Sequence, residues 1–149
     1  METIPNFEGK SVLVCEDDLD MLESISELLS DCGADVAKYS SPTEALEHVK
    51  KSRPDLILSD ITMPKMTGLE FLDALNTAGI EVPLIFLTGN ADITTYRRGL
   101  VRGQFDFLTK PLVPSALIQA VQKALQFAHE AATPSRLMEQ IADSVDKEN

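Results

Sequence analysis

Five short apolar runs alternate along this chain with stretches of helical periodicity, and that alternation leaves few folds open. The runs are Ser11–Cys15, Asp35–Tyr39, Leu56–Asp60, residues 83–88 and Phe105–Thr109. Leu56, Ile57 and Leu58 are continuously apolar, as a strand buried on both faces must be. Pro64 cannot continue a ladder, so that strand stops near Asp60. Strands that alternate with helices predict an α/β fold. Its sheet is doubly wound, parallel and five-stranded, with five flanking helices. Right-handed crossovers restrict the topology further.

The helices follow from spacing. Residues 19–32 place Met21, Leu22, Ile25, Leu28 and Leu29 on one face. Asp18 or Asp20 can cap that helix, and Gly33 can end it. Ser41 and Pro42 open a second helix with Ala45, Leu46 and Val49 inward, and Arg53-Pro54 stops it. Residues 68–76 form a third, with Leu69, Phe71, Leu72 and Leu75 apolar. A short fourth helix over residues 93–101 is basic, with Arg97 and Arg98 inside it and Arg102 just beyond. A long last helix, residues 113–131, carries Leu117, Val121, Leu125 and Ala128. Three segments result: an N-terminal arm over residues 1–9, one domain over 10–131 and an extension over 132–149. In the extension Thr133 and Pro134 can start a helix, and Leu137, Met138, Ile141 and Val145 make an apolar stripe.

Composition narrows the function. Of 149 residues 44% are apolar, which suits a packed core rather than a disordered chain. The formal net charge is −11, which argues against a nucleic-acid surface built from clustered Lys and Arg. No run reaches membrane-spanning length, and residues 1–10 lack a signal-peptide pattern. Cys15 and Cys32 have no CxxC spacing, and apolar neighbours predict reduced thiols in a cytoplasmic protein. Neither GxxxxGK[ST] nor GxGxxG occurs, so nucleotide-binding folds are disfavoured.

The candidate residues all stand at carboxyl ends of predicted strands. Glu16, Asp17 and Asp18 follow the first, Asp60 ends the third, Thr88 the fourth, and Lys110 follows the fifth. In a parallel sheet those ends share one edge, where ligands bind in open α/β folds. Carboxylates from two loops raise each other's pKa, and a hard cation such as Mg²⁺ relieves them. Asp60 could then act as a nucleophile toward phosphorus. Lys110 and the hydroxyl of Thr88 could hold the phosphoryl oxygens. Gly89 leaves room beside them.

These motifs, in this order, resemble the receiver domains of two-component response regulators, the chemotaxis-regulator-like form of the flavodoxin-like fold. The likeness covers roughly residues 10–131. Asp60-Ile61-Thr62-Met63-Pro64-Lys65-Met66-Thr67-Gly68 looks like the phosphoacceptor loop, Thr88-Gly89 like the switch hydroxyl and its small neighbour, Phe107 like the switch aromatic, and Lys110-Pro111 like the lysine and the proline after a cis bond. The resemblance implies that Asp60 is phosphorylated. It implies a Mg²⁺ site made by Glu16, Asp17, Asp60 and the Thr62 carbonyl, with Asp17 binding directly and Glu16 through water. Asp18 falls mainly to capping. Thr88 would move toward the phosphoryl group and Phe107 would turn inward, remodelling the face of the fourth helix, fifth strand and fifth helix. The implied partner is a sensor histidine kinase or a histidine phosphotransfer protein. A homodimer through that face or through the C-terminal helix is a further expectation. Gln104-Phe105 departs from the small and polar pair usual in the family.

Two other functions compete. A haloacid dehalogenase-type phosphatase also uses an Asp after a strand, but needs a second Asp where Thr62 stands. An interaction module independent of phosphorylation would lack site residues, and none is missing. The expected activity is self-catalysed phosphotransfer and dephosphorylation only, not multiple-turnover catalysis. His48 and His129 read as ordinary surface residues, and Met63 and Met66 as packing.

Overall fold

A computed structural model describes residues 6–89 and 105–131. Within them lie five strands: β1 (Ser11–Cys15), β2 (Asp35–Tyr39), β3 (Leu56–Asp60), β4 (Leu84–Thr88) and β5 (Phe105–Thr109). Four helices are described: α1 (Leu19–Asp31), α2 (Pro42–Lys51), α3 (Gly68–Thr77) and α4 (Pro114–Ala131). The predicted basic helix over residues 93–101, with Arg97, Arg98 and Arg102, lies outside the described residues. So does the extension over residues 132–149.

All strand pairs are parallel, in the order β2-β1-β3-β4-β5. The chain runs outward from β1 to one edge and then returns past it to β3, so the winding reverses between β1 and β3. Alternation along each strand splits the core in two. Val12, Val14, Leu56, Leu58, Ile85 and Leu87 pack with residues of α1 and α4. Leu13, Cys15, Ile57, Leu84 and Phe86 pack with residues of α2 and α3. The sheet is thus covered on both faces, which its unbroken apolar strands require.

Local chemistry sets the helix ends. Asp18 Oδ1 accepts from the backbone N–H groups of Asp20 and Met21 at 3.1 and 3.2 Å, so Asp18 caps α1. Ser41 caps α2, with Pro42 in its first turn. Thr67 and Glu70 form a reciprocal capping box on α3, at 3.1 and 2.9 Å. Gly33 sits at φ 97° just past α1, a conformation glycine takes without strain.

One expectation changes, at His48, and the N-terminal arm gains an anchor. Phe7 is 3% exposed in the core, and its N–H donates to the Cys32 carbonyl at 2.7 Å. A lone apolar residue has no periodicity, so sequence pattern gave it no role. His48 is half-buried, and its Nδ1 lies 2.8 Å from the Tyr39 hydroxyl. The His129 side chain lies outside the described residues.

Candidate functional site

The carboxyl edge of the sheet gathers the predicted residues where the winding reverses. Glu16 and Asp17 leave β1, Asp60 ends β3, Thr88 ends β4 and Lys110 follows β5. Carboxylate oxygens of Glu16, Asp17 and Asp60 all lie within 4.8 Å of one another. Lys110 Nζ donates to Glu16 Oε1 at 2.6 Å and to Asp60 Oδ2 at 3.2 Å. Burial differs sharply within this group. The Glu16 side chain is 0% exposed, that of Asp60 10% and that of Lys110 21%, while Asp17 is open to solvent.

Burial first, and then the neighbouring Asp60 carboxylate, push the Glu16 carboxyl up from 4.5 to about 7, against the pull of Lys110. Burial works against the Lys110 ammonium as well. Glu16 and Asp60 outweigh it and hold the lysine above its ordinary value. The Cys15 thiol, one residue before Glu16, is pushed up to about 12 by burial and then by Glu16, Asp60 and Asp17. It therefore stays protonated and donates to Met63 Sδ at 3.5 Å.

The loop after Asp60 is held tightly. Asp60 Oδ1 accepts from the Thr62 N–H at 3.3 Å. Gly68 N–H donates to the Ile61 carbonyl at 2.7 Å, which draws the start of α3 onto the end of β3. A Cβ at Gly68 would fall 2.9 Å from the Asp60 carbonyl oxygen and 2.7 Å from Phe86 Cε1, so only glycine fits there. Lys65 adopts φ 71°, and the Met66 N–H donates to the Pro64 carbonyl at 2.8 Å, closing a strained turn. Across the pocket the Lys110–Pro111 peptide is cis, and Lys110 N–H donates to the Thr88 carbonyl at 2.7 Å.

The donor set suits a hard divalent cation. Glu16 Oε2 is buried and has no hydrogen-bond partner among the described residues, while its other oxygen is taken by Lys110. A buried carboxylate oxygen without a partner costs free energy that a cation would offset. All the candidate donors are oxygens, as Mg²⁺ prefers. Asp18 stands apart, because its Oδ1 serves the α1 cap and it is absent from the close oxygen cluster.

Thr88 is 3% exposed and Phe107 half-buried. The Phe107 ring lies 5.9 Å, centroid to centroid, from Phe86. A Cβ on Gly89 would meet Lys110 carbons at 3.8 and 3.9 Å, ordinary contact distances, so a small side chain also fits there. One contributor was marked in the sequence only as the end of the Asp60–Gly68 motif, and another was not marked at all. The close approach at Gly68 was signalled only by a glycine at a helix start. Phe86 gave no signal beyond one more apolar residue in a buried strand.

Fold and site together define a doubly wound α/β domain with an acidic pocket and one lysine at the point where the winding reverses. The chain belongs to the response regulator receiver domain family, whose model matches residues 12–122. It is 32% identical over 117 residues to the response regulator protein TodT of Pseudomonas putida, covering 78% of this chain and 52% of TodT. Over 116 residues it is 30% identical to the phosphoglycerate transport system transcriptional regulatory protein PgtA of Salmonella typhimurium, covering 78% of this chain and 28% of PgtA. The chain therefore spans about half, or less, of the length of these curated relatives. The chemotaxis response regulator CheY4 of Vibrio cholerae superposes with a TM-score of 0.71 at 31% identity, over 77% of this chain and 98% of that one. This is a response regulator receiver domain of the two-component kind, a signalling module by family. Among the described residues no helix is long and apolar enough to cross a membrane.

Proposed function

We propose that Asp60 accepts a phosphoryl group from a histidine kinase or a histidine phosphotransfer protein, and that the change is read on another face of residues 10–131. The observation that carries this reading is the meeting of Asp60, Lys110 and the half-satisfied Glu16 carboxylate in one pocket. An Asp60 oxygen attacks phosphorus, a P–O bond forms, and the P–N bond of phosphohistidine, or the P–O bond of an acyl phosphate, breaks in line. Lys110, already 3.2 Å from Asp60 Oδ2, supplies positive charge to the transferred oxygens. Thr88, at the end of the adjacent strand, donates a hydrogen bond to one of them.

Glu16, Asp17, Asp60 and the Thr62 carbonyl would hold Mg²⁺. When bound, the ion neutralises charge on the carboxylates and on the phosphoryl oxygens. The modified Asp60 carries about two negative charges near pH 7. Thr88 and Phe107 convert that local charge into a new surface on β5, α4 and the helix predicted from sequence over residues 93–101. We place partner binding or a homodimer on this surface, with residues 132–149 as the other candidate seam for a homodimer. The protein works in the cytoplasm by this reading, without direct nucleic-acid contact by this chain.

The test is labelling by acetyl phosphate with Mg²⁺, comparing wild type with Asp60→Asn. Wild type should take up one phosphoryl group per chain, and the variant essentially none. Equal labelling of the two would sink the assignment of Asp60. Loss of labelling in chelator, restored by Mg²⁺, is expected in parallel.

A further inference from the structure

Phe86 stands between the Asp60 turn and Phe107. Its ring is fully buried on β4. Its register neighbours are Ser59 on β3, the residue before Asp60, and Phe107 on β5. On the first side there is no slack. The Gly68 α-carbon presses so near that an added Cβ would lie 2.7 Å from Phe86 Cε1, 2.9 Å from the Asp60 carbonyl and 3.0 Å from the Ile61 α-carbon. The Gly68–Ile61 hydrogen bond fastens this helix start to the residue after Asp60. On the second side the Phe86 and Phe107 rings lie 5.9 Å apart with planes inclined by 32°.

Close-packed interiors switch between discrete arrangements rather than deforming smoothly. A shift of the Asp60 turn that carries Gly68 with it therefore reaches the Phe86 ring, and Phe86 in turn meets Phe107. Thr88 lies two residues further along β4.

We propose that Phe86 is a positioning residue that couples the Asp60 turn to Phe107 through its ring, separately from Thr88. The inference rests on the phosphoacceptor reading above and adds a second line of communication to it. A residue that merely fills the core would stabilise the fold and leave the response of Phe107 unchanged.

The test uses the full chain labelled with 4-fluorophenylalanine, followed by fluorine NMR. Mg²⁺ with beryllofluoride, a phosphoryl mimic, is the probe. The Phe107 resonance is identified by its loss in Phe107→Leu, and the Phe86 resonance by its loss in Phe86→Met. Fluorine signals of bound beryllofluoride report occupation of the site in the same spectrum. In wild type the Phe86 and Phe107 resonances should shift together as the mimic binds. In Phe86→Leu the bound-mimic signals should persist while the Phe107 shift falls several-fold. Phe86→Met, which restores length and bulk, should recover most of it. An undiminished Phe107 shift in Phe86→Leu overturns the proposal. A Phe86 resonance that stays still in wild type does the same, without reliance on any core variant. Absence of bound-mimic signals in wild type overturns the phosphoacceptor reading, and the coupling with it.

Discussion

Strands β1 and β3 have a carboxylate beside each end, and the two are treated in opposite ways. At the amino edge Asp55 Oδ2 accepts from the Ser11 N–H at 2.8 Å and from its hydroxyl at 3.3 Å. Asp55 N–H returns to the Ser11 carbonyl at 2.8 Å and lies 3.1 Å from the Ser11 hydroxyl. This is a closed clasp that fixes strand register. At the carboxyl edge Glu16 is wholly buried, holds the Lys110 ammonium, and leaves Oε2 without a partner among the described residues. One edge uses a carboxylate to finish the fold, and the other keeps unspent acceptor capacity where a ligand can use it. The difference lies in the donors supplied. Backbone and serine donors come with the fold itself, whereas the second oxygen of Glu16 meets no donor among the described residues.

The comparison breaks most visibly at Lys110. Removing one member of a buried ion pair costs about 3–5 kcal/mol when the other stays charged. Glu16 can escape by taking a proton, so in chelator Lys110→Met should lose about 2 kcal/mol at pH 8, and clearly less at pH 6. Thermal unfolding at the two pH values measures this. Equal losses would show that Glu16 does not depend on the lysine for its charge.

Glu16 itself should give the protein a pH slope. Its carboxyl holds a proton in the fold up to about pH 7, against an ordinary value of 4.5. Between those values the folded state binds a proton that the unfolded chain has shed. Stability therefore falls as pH rises through this window and is level above it. In chelator the fall should be on the order of 1–3 kcal/mol, moderated by Lys110. Glu16→Gln should flatten it, and saturating Mg²⁺ should flatten it in wild type. A wild-type melting temperature that stays constant from pH 5 to pH 8 in chelator would contradict the burial argument.

At the opposite edge Asp55→Ala should cost about 1–3 kcal/mol, because the Ser11 donors lose their acceptor. Phosphorylation rate and Mg²⁺ affinity should not change. A fall in either would mean that the clasp governs the site and that the two edges are not independent.

The smallest effect is chemical. Cys15 is buried with its thiol pushed up to about 12, while Cys32 is half-buried past α1. Iodoacetamide should label Cys32 first in the native protein, and Cys15 only after unfolding. Peptide mass spectrometry distinguishes them.

Much of this was legible in the residues. Four strands, β1, β2, β3 and β5, fall where the runs predicted, and β4 starts one residue later than its run. The clearest signal was at β3, whose residues are buried throughout. Asp18 was one of two caps the sequence allowed, and the structure chose it over Asp20. Convergence of Glu16, Asp17, Asp60, Thr88 and Lys110 could be foreseen because parallel strands deliver their carboxyl ends to one side. What stayed hidden depended on contacts between distant segments. Phe7 lacked any periodic signal, the Tyr39–His48 bond joins a strand to a helix, and Phe86 looked like its neighbours on β4.

The sequence by itself determined the number and class of elements and the chemistry at the strand ends, because both are written in local pattern. Only the tertiary structure decided that Glu16 is the buried carboxylate and Asp17 the open one. Two adjacent acids are equivalent in sequence, but successive residues leaving a strand point to opposite sides. One of them meets Lys110 and Asp60 beneath the pocket, and the other faces water. Likewise the sequence showed a glycine at position 68, and the fold showed what it must avoid, the Asp60 carbonyl on one side and the Phe86 ring on the other.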